Sequence, residues 1–204
     1  MSKVSDRIDL KEIERRAYLS YHEDGLVDIL IGLGLLAAGL YFYAGMFWLA
    51  GSMIALYVPI YMSMKKKITF PRIGQVEFSK SRTGRAKNTY YFLVAMNVVG
   101  VVVGFVFWKA FSGEIRPEWM YVMIDNYAIV LGLAGAFVFA VVAWLTDLTR
   151  FYRYAALTFV SLGSANFIAS PFIGHVVALG FIIMVAGYLQ LQKFKGKYPI
   201  VQEN

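Results

Sequence analysis

One histidine and three carboxylates lie together in HEDGLVDI, residues 22–29, immediately before a long apolar stretch. Asp24 and Asp28 are four residues apart, so on a helix they share one face, with Asp28 one turn deeper. A carboxylate that faces the interior of a membrane bundle can bind a proton or a cation, and Asp28 with Asp24 is our candidate for that chemistry. The alternative is structural: Asp28 reaches the lipid headgroups or pairs with Lys65, Lys66 or Lys67.

A metal-binding or catalytic role for the same stretch is less well supported. His22 and Glu23 would add donors to the aspartates, and oxygen-rich clusters suit Mg²⁺ or Mn²⁺. However, no second aspartate cluster is expected on the same side of the membrane, and His175 is expected on the other side. The absence of cysteine excludes thiolate metal sites and a cysteine nucleophile, and no Walker, Gly-x-Ser-x-Gly or His-Glu-x-x-His motif occurs. The sequence therefore predicts no catalytic residue, no metal site and no cofactor.

A second candidate site is the basic stretch KKKITFPRIGQVEFSKSRTGRAK, residues 65–87. Basic residues beside a membrane attract anionic headgroups, with about 1 kcal/mol for each residue near the surface. We predict that this loop binds anionic lipid or a protein partner through six side chains: Lys65, Lys66, Lys67, Arg72, Arg82 and Arg85. The alternation in Ile68-Thr69-Phe70 and Val76-Glu77-Phe78 also predicts a short β-hairpin. The alternative is that the loop serves only to orient the chain in the membrane.

Polar and small residues within the apolar stretches are interpreted mainly as packing contacts. Asn97 and Asn166 are predicted to lie inside the membrane, where hydrogen bonds between helices are their default role. If they faced one cavity with Asp28, they would instead line a polar path. Small residues recur on single helix faces, as in Gly100-x-x-x-Gly104 and Gly132-x-x-x-Ala136, which allows close approach of two backbones.

The elements that must position these groups are membrane-spanning helices. The chain has 204 residues, 59% hydrophobic and 16% charged, whereas soluble domains have about a quarter charged residues. A helix needs about 20 apolar residues to cross a bilayer. We predict an all-α polytopic integral membrane protein with six transmembrane helices as three helical hairpins, and a turn at Ala44-Gly45. The spans are placed at about 26–44, 46–64, 88–108, 126–146, 154–171 and 174–192.

The distribution of lysine and arginine orients this threading. All but two of the 20 basic residues, Lys109 and Arg116, fall on the side that also holds both termini. Cytoplasmic segments of membrane proteins carry this excess, so we predict a multi-pass protein of the cell membrane with both termini cytoplasmic. Residues 1–25 form a cytoplasmic segment with an amphipathic helix at 9–21, residues 26–192 the membrane domain, and residues 193–204 a tail. The net charge of +7 is largely this orientation signal, which argues against nucleic acid as a partner.

Three classes of function remain open on the sequence. The first and favoured one is a non-enzymatic integral membrane component that binds anionic lipid or a protein partner through the basic loop and the N-terminal helix. The second is a small transporter or channel for a cation, a proton or a small solute that uses Asp28. The third is a membrane enzyme that acts on lipid headgroups. The expected partners are membrane lipids with anionic headgroups, and a homo-oligomer or a membrane complex is left open.

Overall fold

A computed structural model describes residues 17–46, 53–74, 80–112, 117–168 and 171–200 of the chain. All regular structure in these ranges is helical, which confirms the all-α prediction. Residues 17–22 are helical, and a turn leads from them into the first full helix. The helices are α1 (Leu26–Tyr43), α2 (Met53–Met64), α3 (Phe70–Ile73), α4 (Lys80–Ser112), α5 (Glu118–Asp125), α6 (Tyr127–Thr146), α7 (Arg150–Ser164) and α8 (Phe172–Lys197). Of the predicted N-terminal helix at 9–21, only residues from 17 onward lie within the described ranges.

Within the described ranges, three segments are long and apolar enough to cross a membrane, namely Ala17–Tyr43, α6 and α8. The predicted fifth span, 154–171, corresponds to α7, which has 15 residues and is shorter than the roughly 20 of a full crossing. Large apolar side chains are exposed on the helix surfaces, for example Val101 at 73% and Trp144 at 70%. Surfaces of this kind suit a hydrocarbon environment, which agrees with a membrane protein.

The predicted turn at Ala44-Gly45 is confirmed. The helix α1 ends at Tyr43, and Gly45 adopts a φ of +70°, which glycine reaches without a steric penalty. The Met46 N–H donates to the Tyr41 carbonyl at 2.8 Å, and the Gly45 N–H donates to the Phe42 carbonyl at 3.2 Å. These two bonds form a Schellman motif, which satisfies the last carbonyls of the helix and reverses the chain.

The predicted β-hairpin within residues 65–87 is wrong where the structure describes it. The residues Ile68-Thr69-Phe70 belong to a π-helical turn, Lys65–Thr69, and to the start of α3. The partner segment Val76-Glu77-Phe78 lies outside the described residues. The helical turn places Lys65 and Thr69 on one face, so both side chains reach the same buried carboxylate. This polar contact outweighs the weak alternating pattern, and Gly74, at a φ of +77°, ends α3.

The most extensive helix interfaces among the described residues are α1 with α8 and α6 with α7. Both interfaces join helices that were predicted to belong to different hairpins. The most extensive packing is therefore between the predicted hairpins and not within them. A methyl group added at Gly32 would lie 2.5 Å from the Met184 backbone nitrogen, and one added at Gly187 would lie 2.6 Å from the Ile29 nitrogen. The backbones of α1 and α8 therefore approach too closely for any side chain at these glycines.

The small residues singled out in the sequence divide into two groups. Gly132 of α6 packs against the backbone of α7, with its added methyl 3.3 Å from the Gly163 nitrogen, as the pattern predicted. A methyl group added at Gly100 would meet no atom within 4 Å, so close packing at this glycine is not seen among the described residues. One hydrophobic core cluster lies where α1, α7 and α8 meet, with Leu162, Leu179 and Ile183 at its centre, and a second is formed by Ala143, Leu148 and Phe151.

Candidate functional site

Asp24 is completely buried and accepts three hydrogen bonds. Its Oδ2 accepts hydrogen bonds from the Lys65 Nζ and the Thr69 Oγ1, each at 2.6 Å. Its Oδ1 accepts a hydrogen bond from the Leu26 N–H at 3.2 Å. Lys65 is buried as well and also donates to the Tyr21 backbone carbonyl. Asp24 therefore ties the start of α1 to the end of α2, and this pair is structural in its contacts.

The ammonium of Lys65 is enclosed rather than presented to solvent. It lies 3.8 Å from the centroid of the Tyr21 ring and 5.6 Å from that of Tyr61. Burial lowers the pKa of Lys65, while the carboxylate of Asp24 opposes that shift and favours the charged form. Because it is enclosed and paired, Lys65 is not available to bind a headgroup at the surface.

Asp28 is also buried, with 1% of its side chain exposed, and its partner is Arg150. The Arg150 Nη1 lies 3.1 Å from the Asp28 Oδ2. The sequence suggests Lys65, Lys66 or Lys67 as the partner of Asp28. In the structure Lys65 pairs with Asp24, and Lys66 and Lys67 are exposed. Arg150 opens α7, more than 100 residues along the chain, and no local pattern could have named it.

The Asp28–Arg150 pair leaves polar atoms unsatisfied. Among the described residues, Asp28 Oδ1 and two guanidinium nitrogens of Arg150, Nε and Nη2, are buried without a hydrogen-bond partner. Buried polar atoms are normally paired, so unpaired ones require an explanation.

His22 and Glu23 point to separate partners. The His22 Nδ1 is 3.0 Å from the Tyr18 carbonyl, and the Glu23 Oε2 accepts from the Lys197 Nζ at 2.8 Å in a partly exposed pair. Each of the four titratable groups of HEDGLVDI thus has its own partners, and the four do not converge on one point. Within the ranges that the structure describes, no three side chains of His, Asp or Glu are close enough together to hold a metal ion.

A cavity of about 420 Å³ lies beside Asp28, between α7 and α8. Its polar lining consists of three basic residues, Arg150, Arg153 and Lys193, with Tyr154, Gln190 and Asp28 itself. Three cations face one carboxylate, so the described lining is positive and favours an anion over a cation.

Sequence reasoning did not select Arg153 or Lys193 for this site. Arg150 and Arg153 are three residues apart on α7, and Gln190 and Lys193 are three apart on α8, so each pair shares a helix face. That spacing is a usable signal. What the sequence lacks is the information that these two faces meet at Asp28.

The remaining residues of the basic loop are spread over several elements. Lys66 and Lys67 are exposed on the π-helical turn, and Arg72 of α3 donates from Nη1 to the Ile68 carbonyl at 2.6 Å. Arg82 and Arg85 lie in the first turns of α4. The six residues therefore do not form one continuous exposed surface, because Lys65 is buried.

The two amides predicted within the membrane lie on different elements. Asn97 lies along α4, and Asn166 lies in the turn after α7. The Asn166 Nδ2 is 3.4 Å from the Asn126 Oδ1, which connects the turn after α7 to the start of α6. Since Asp28 contacts the first residue of α7, Asn166 lies at the far end of that helix.

The chain was compared with protein-family models, with curated proteins and with solved structures, and no match was found.

Proposed function

We propose that this protein is a non-enzymatic, six-span component of the cell membrane whose basic, cytoplasmic end binds anionic lipid headgroups. The observation that carries the proposal is the meeting of four helix ends at one end of the bundle. Asp24–Lys65 joins the start of α1 to the end of α2, Asp28–Arg150 joins α1 to the start of α7, and Glu23–Lys197 adds the end of α8. Six-span threading assigns all four of these ends, and both termini, to the cytoplasm.

The charges of the described residues support this orientation. The end formed by these pairs carries the exposed side chains of Lys66, Lys67, Arg153, Lys193 and Lys197. The other end carries Glu118 and Asp125 on α5, and Lys109 is the one basic residue described there. An end with this excess of positive charge attracts the anionic lipids of the inner leaflet.

The geometry supports a binding component better than an enzyme. A headgroup enzyme would require His22, Asp24 and Asp28 to act at one point, whereas each has its own partner. Asp24 accepts three hydrogen bonds and is enclosed, so it is poorly placed to activate water or to bind a metal ion.

Transport remains the second candidate, because a cavity reaches Asp28 and one oxygen of that carboxylate is unpaired. The positive lining of the cavity weighs against a proton or metal cation as the solute. Arg150 already neutralises Asp28, which leaves little negative charge to attract a cation.

Mass spectrometry of the lipids that survive purification in a mild detergent tests the proposal. We expect anionic glycerophospholipids to be enriched over zwitterionic ones, relative to the membrane from which the protein was extracted. Retained lipid with the composition of that membrane would contradict the proposal. Raising the salt concentration during purification should reduce the enrichment, since exposed charges are screened beyond about 10 Å at 0.1 M.

A further inference from the structure

We infer that the cavity between α7 and α8 binds the phosphate group of an anionic glycerophospholipid, and that Arg150, Arg153 and Lys193 hold it. This inference rests on the proposed function and gives it a specific site. The site differs from the basic loop at residues 65–87, where the sequence had placed lipid binding.

The unpaired atoms of Arg150 are the first argument. Asp28 pairs only with Nη1 of the guanidinium, and the other two nitrogens, Nε and Nη2, have no acceptor. These two nitrogens form one edge of the guanidinium plane, and their parallel N–H bonds match two oxygens of a phosphate. Asp28 therefore fixes the orientation of Arg150 while the edge suited to a phosphate stays free.

The surrounding side chains supply the remaining recognition. Arg153 and Lys193 add two positive charges from facing helices, and both are exposed enough to reach an incoming anion. The Gln190 amide is a neutral donor in the same lining, whereas the Tyr154 hydroxyl, also in the lining, is a hydrogen-bond partner of Asp28. A phosphate diester with one negative charge would thus meet charge-assisted donors from both α7 and α8.

The apolar part of the cavity favours a lipid over free phosphate. Leu157 lies one turn beyond Arg153 on α7, and Leu189 and Ala186 lie one and two turns before Lys193 on α8. The lining therefore changes from cationic to apolar along both helices in the same direction. Leu189 is 56% exposed, so the apolar side is open towards the surface. A volume of about 420 Å³ lies within the range of about 300–1,000 Å³ typical of small-molecule sites.

The test uses the full chain in a mild detergent, titrated with phosphatidylglycerol and examined by native mass spectrometry. We compare the wild type with R153Q/K193Q, which removes two exposed charges from the cavity. The matched control is K66Q/K67Q, which removes two exposed charges from the same end of the molecule but outside the cavity. Thermal unfolding of each variant verifies that the fold is intact.

We expect R153Q/K193Q to weaken phosphatidylglycerol binding by about tenfold or more, because each basic residue contributes about 1 kcal/mol. K66Q/K67Q should weaken binding several-fold less than R153Q/K193Q, because Lys66 and Lys67 add to the positive charge of this end but do not line the cavity. An equal loss in the two variants would contradict the site. Phosphatidylcholine should bind more weakly than phosphatidylglycerol to the wild type, because its ammonium would be repelled by the cavity.

Three further results would overturn the inference, and they have different meanings. Equal binding by the wild type and R153Q/K193Q would exclude this cavity as the lipid site, while the proposed function would stand. Competition by inorganic phosphate at concentrations close to those of the lipid would identify the ligand as a free anion. A wild type that does not distinguish phosphatidylglycerol from phosphatidylcholine would contradict the proposed function itself.

Discussion

Asp24 and Lys65 show how the stretch HEDGLVDI is used at the scale of single residues. Neither side chain has solvent exposure, and their charges meet at 2.6 Å with Thr69 as a further donor. Removing both charges from such a pair can be nearly neutral, whereas removing one leaves the other buried and uncompensated. The stability of this end of the bundle therefore depends on the two residues together.

Asp24→Asn should destabilise the protein by about 3–5 kcal/mol, because the Lys65 ammonium would remain buried without a counter-ion. The measurement is thermal unfolding in a fixed detergent. Adding Lys65→Met to the same chain should recover a large part of the loss, since no buried charge remains.

Glu23→Gln is the matched control, because it breaks the partly exposed pair with Lys197 at the same end of the bundle. Its effect should stay within about 1 kcal/mol, as for other pairs near the surface. Equal decreases in unfolding temperature for the Asp24 and Glu23 variants would mean that burial of the Asp24–Lys65 pair does not affect stability.

Asp28→Asn distinguishes the lipid-binding proposal from cation transport. The amide oxygen can still accept from Arg150, and the cavity gains one unit of positive charge, so phosphatidylglycerol should bind as tightly as before or up to about fivefold more tightly. A cation carrier that depends on this carboxylate would instead lose flux. The measurement pairs lipid titration with ion flux into proteoliposomes, and a wild-type flux abolished by Asp28→Asn would favour transport.

The residue types of the site were predictable, but their partners were not. Asp24 and Asp28 are conspicuous because carboxylates are costly next to an apolar stretch. Their partners Lys65 and Arg150 lie 41 and 122 residues away, and the choice between Lys65, Lys66 and Lys67 depends on a π-helical turn. An extra residue in one turn changes which lysine faces inward, and the sequence carries no clear signal for it.

At the scale of helices, glycine spacing determines the main interface. Gly25, Gly32 and Gly39 lie seven residues apart along α1 and the turn before it, and Gly180 and Gly187 lie seven apart on α8. A spacing of seven keeps small residues on the seam between two helices that pack along their length. This spacing of seven is present in the sequence and predicts the pairing of α1 with α8. The spacing of four in Gly100-x-x-x-Gly104 instead singles out Gly100, where an added methyl group would meet no atom within 4 Å.

Gly187→Ala should destabilise the protein by about 1–3 kcal/mol, because the new methyl would meet the Ile29 backbone nitrogen at 2.6 Å and neither backbone can move away easily. Gly196→Ala on the same helix is the matched control. It has open space around it, and alanine is favoured over glycine in a helix by about 1 kcal/mol. The thermal unfolding temperature should therefore decrease for Gly187→Ala and stay level or rise for Gly196→Ala. The reverse order would contradict the packing of α1 on α8.

At the scale of the whole molecule, the helix ends and the charges give one consistent arrangement. The buried pairs gather the start of α1, the end of α2, the start of α7 and the end of α8, and the turn at Gly45 lies at the other end of α1. Exposed bases are concentrated at the first end, and the carboxylates of α5 lie at the second. The proposed six-span threading has an even number of crossings, so it assigns both termini to the basic side, and the positive-inside rule then assigns that side to the cytoplasm.

Single-cysteine labelling tests this arrangement directly, because the chain contains no cysteine and needs no background substitutions. Lys67→Cys and Met46→Cys are both at exposed positions, one at the basic end and the other in the turn after α1. In sealed cells, a membrane-impermeant maleimide should label Met46→Cys, while Lys67→Cys should react only after the membrane is opened. Asp125→Cys on α5 should behave as Met46→Cys, since the proposed threading places α5 on the outer side. Labelling of Lys67→Cys in sealed cells would show that the protein has the opposite orientation. The basic cavity would then face away from the anionic inner leaflet, which would remove the physical basis for the proposed lipid binding.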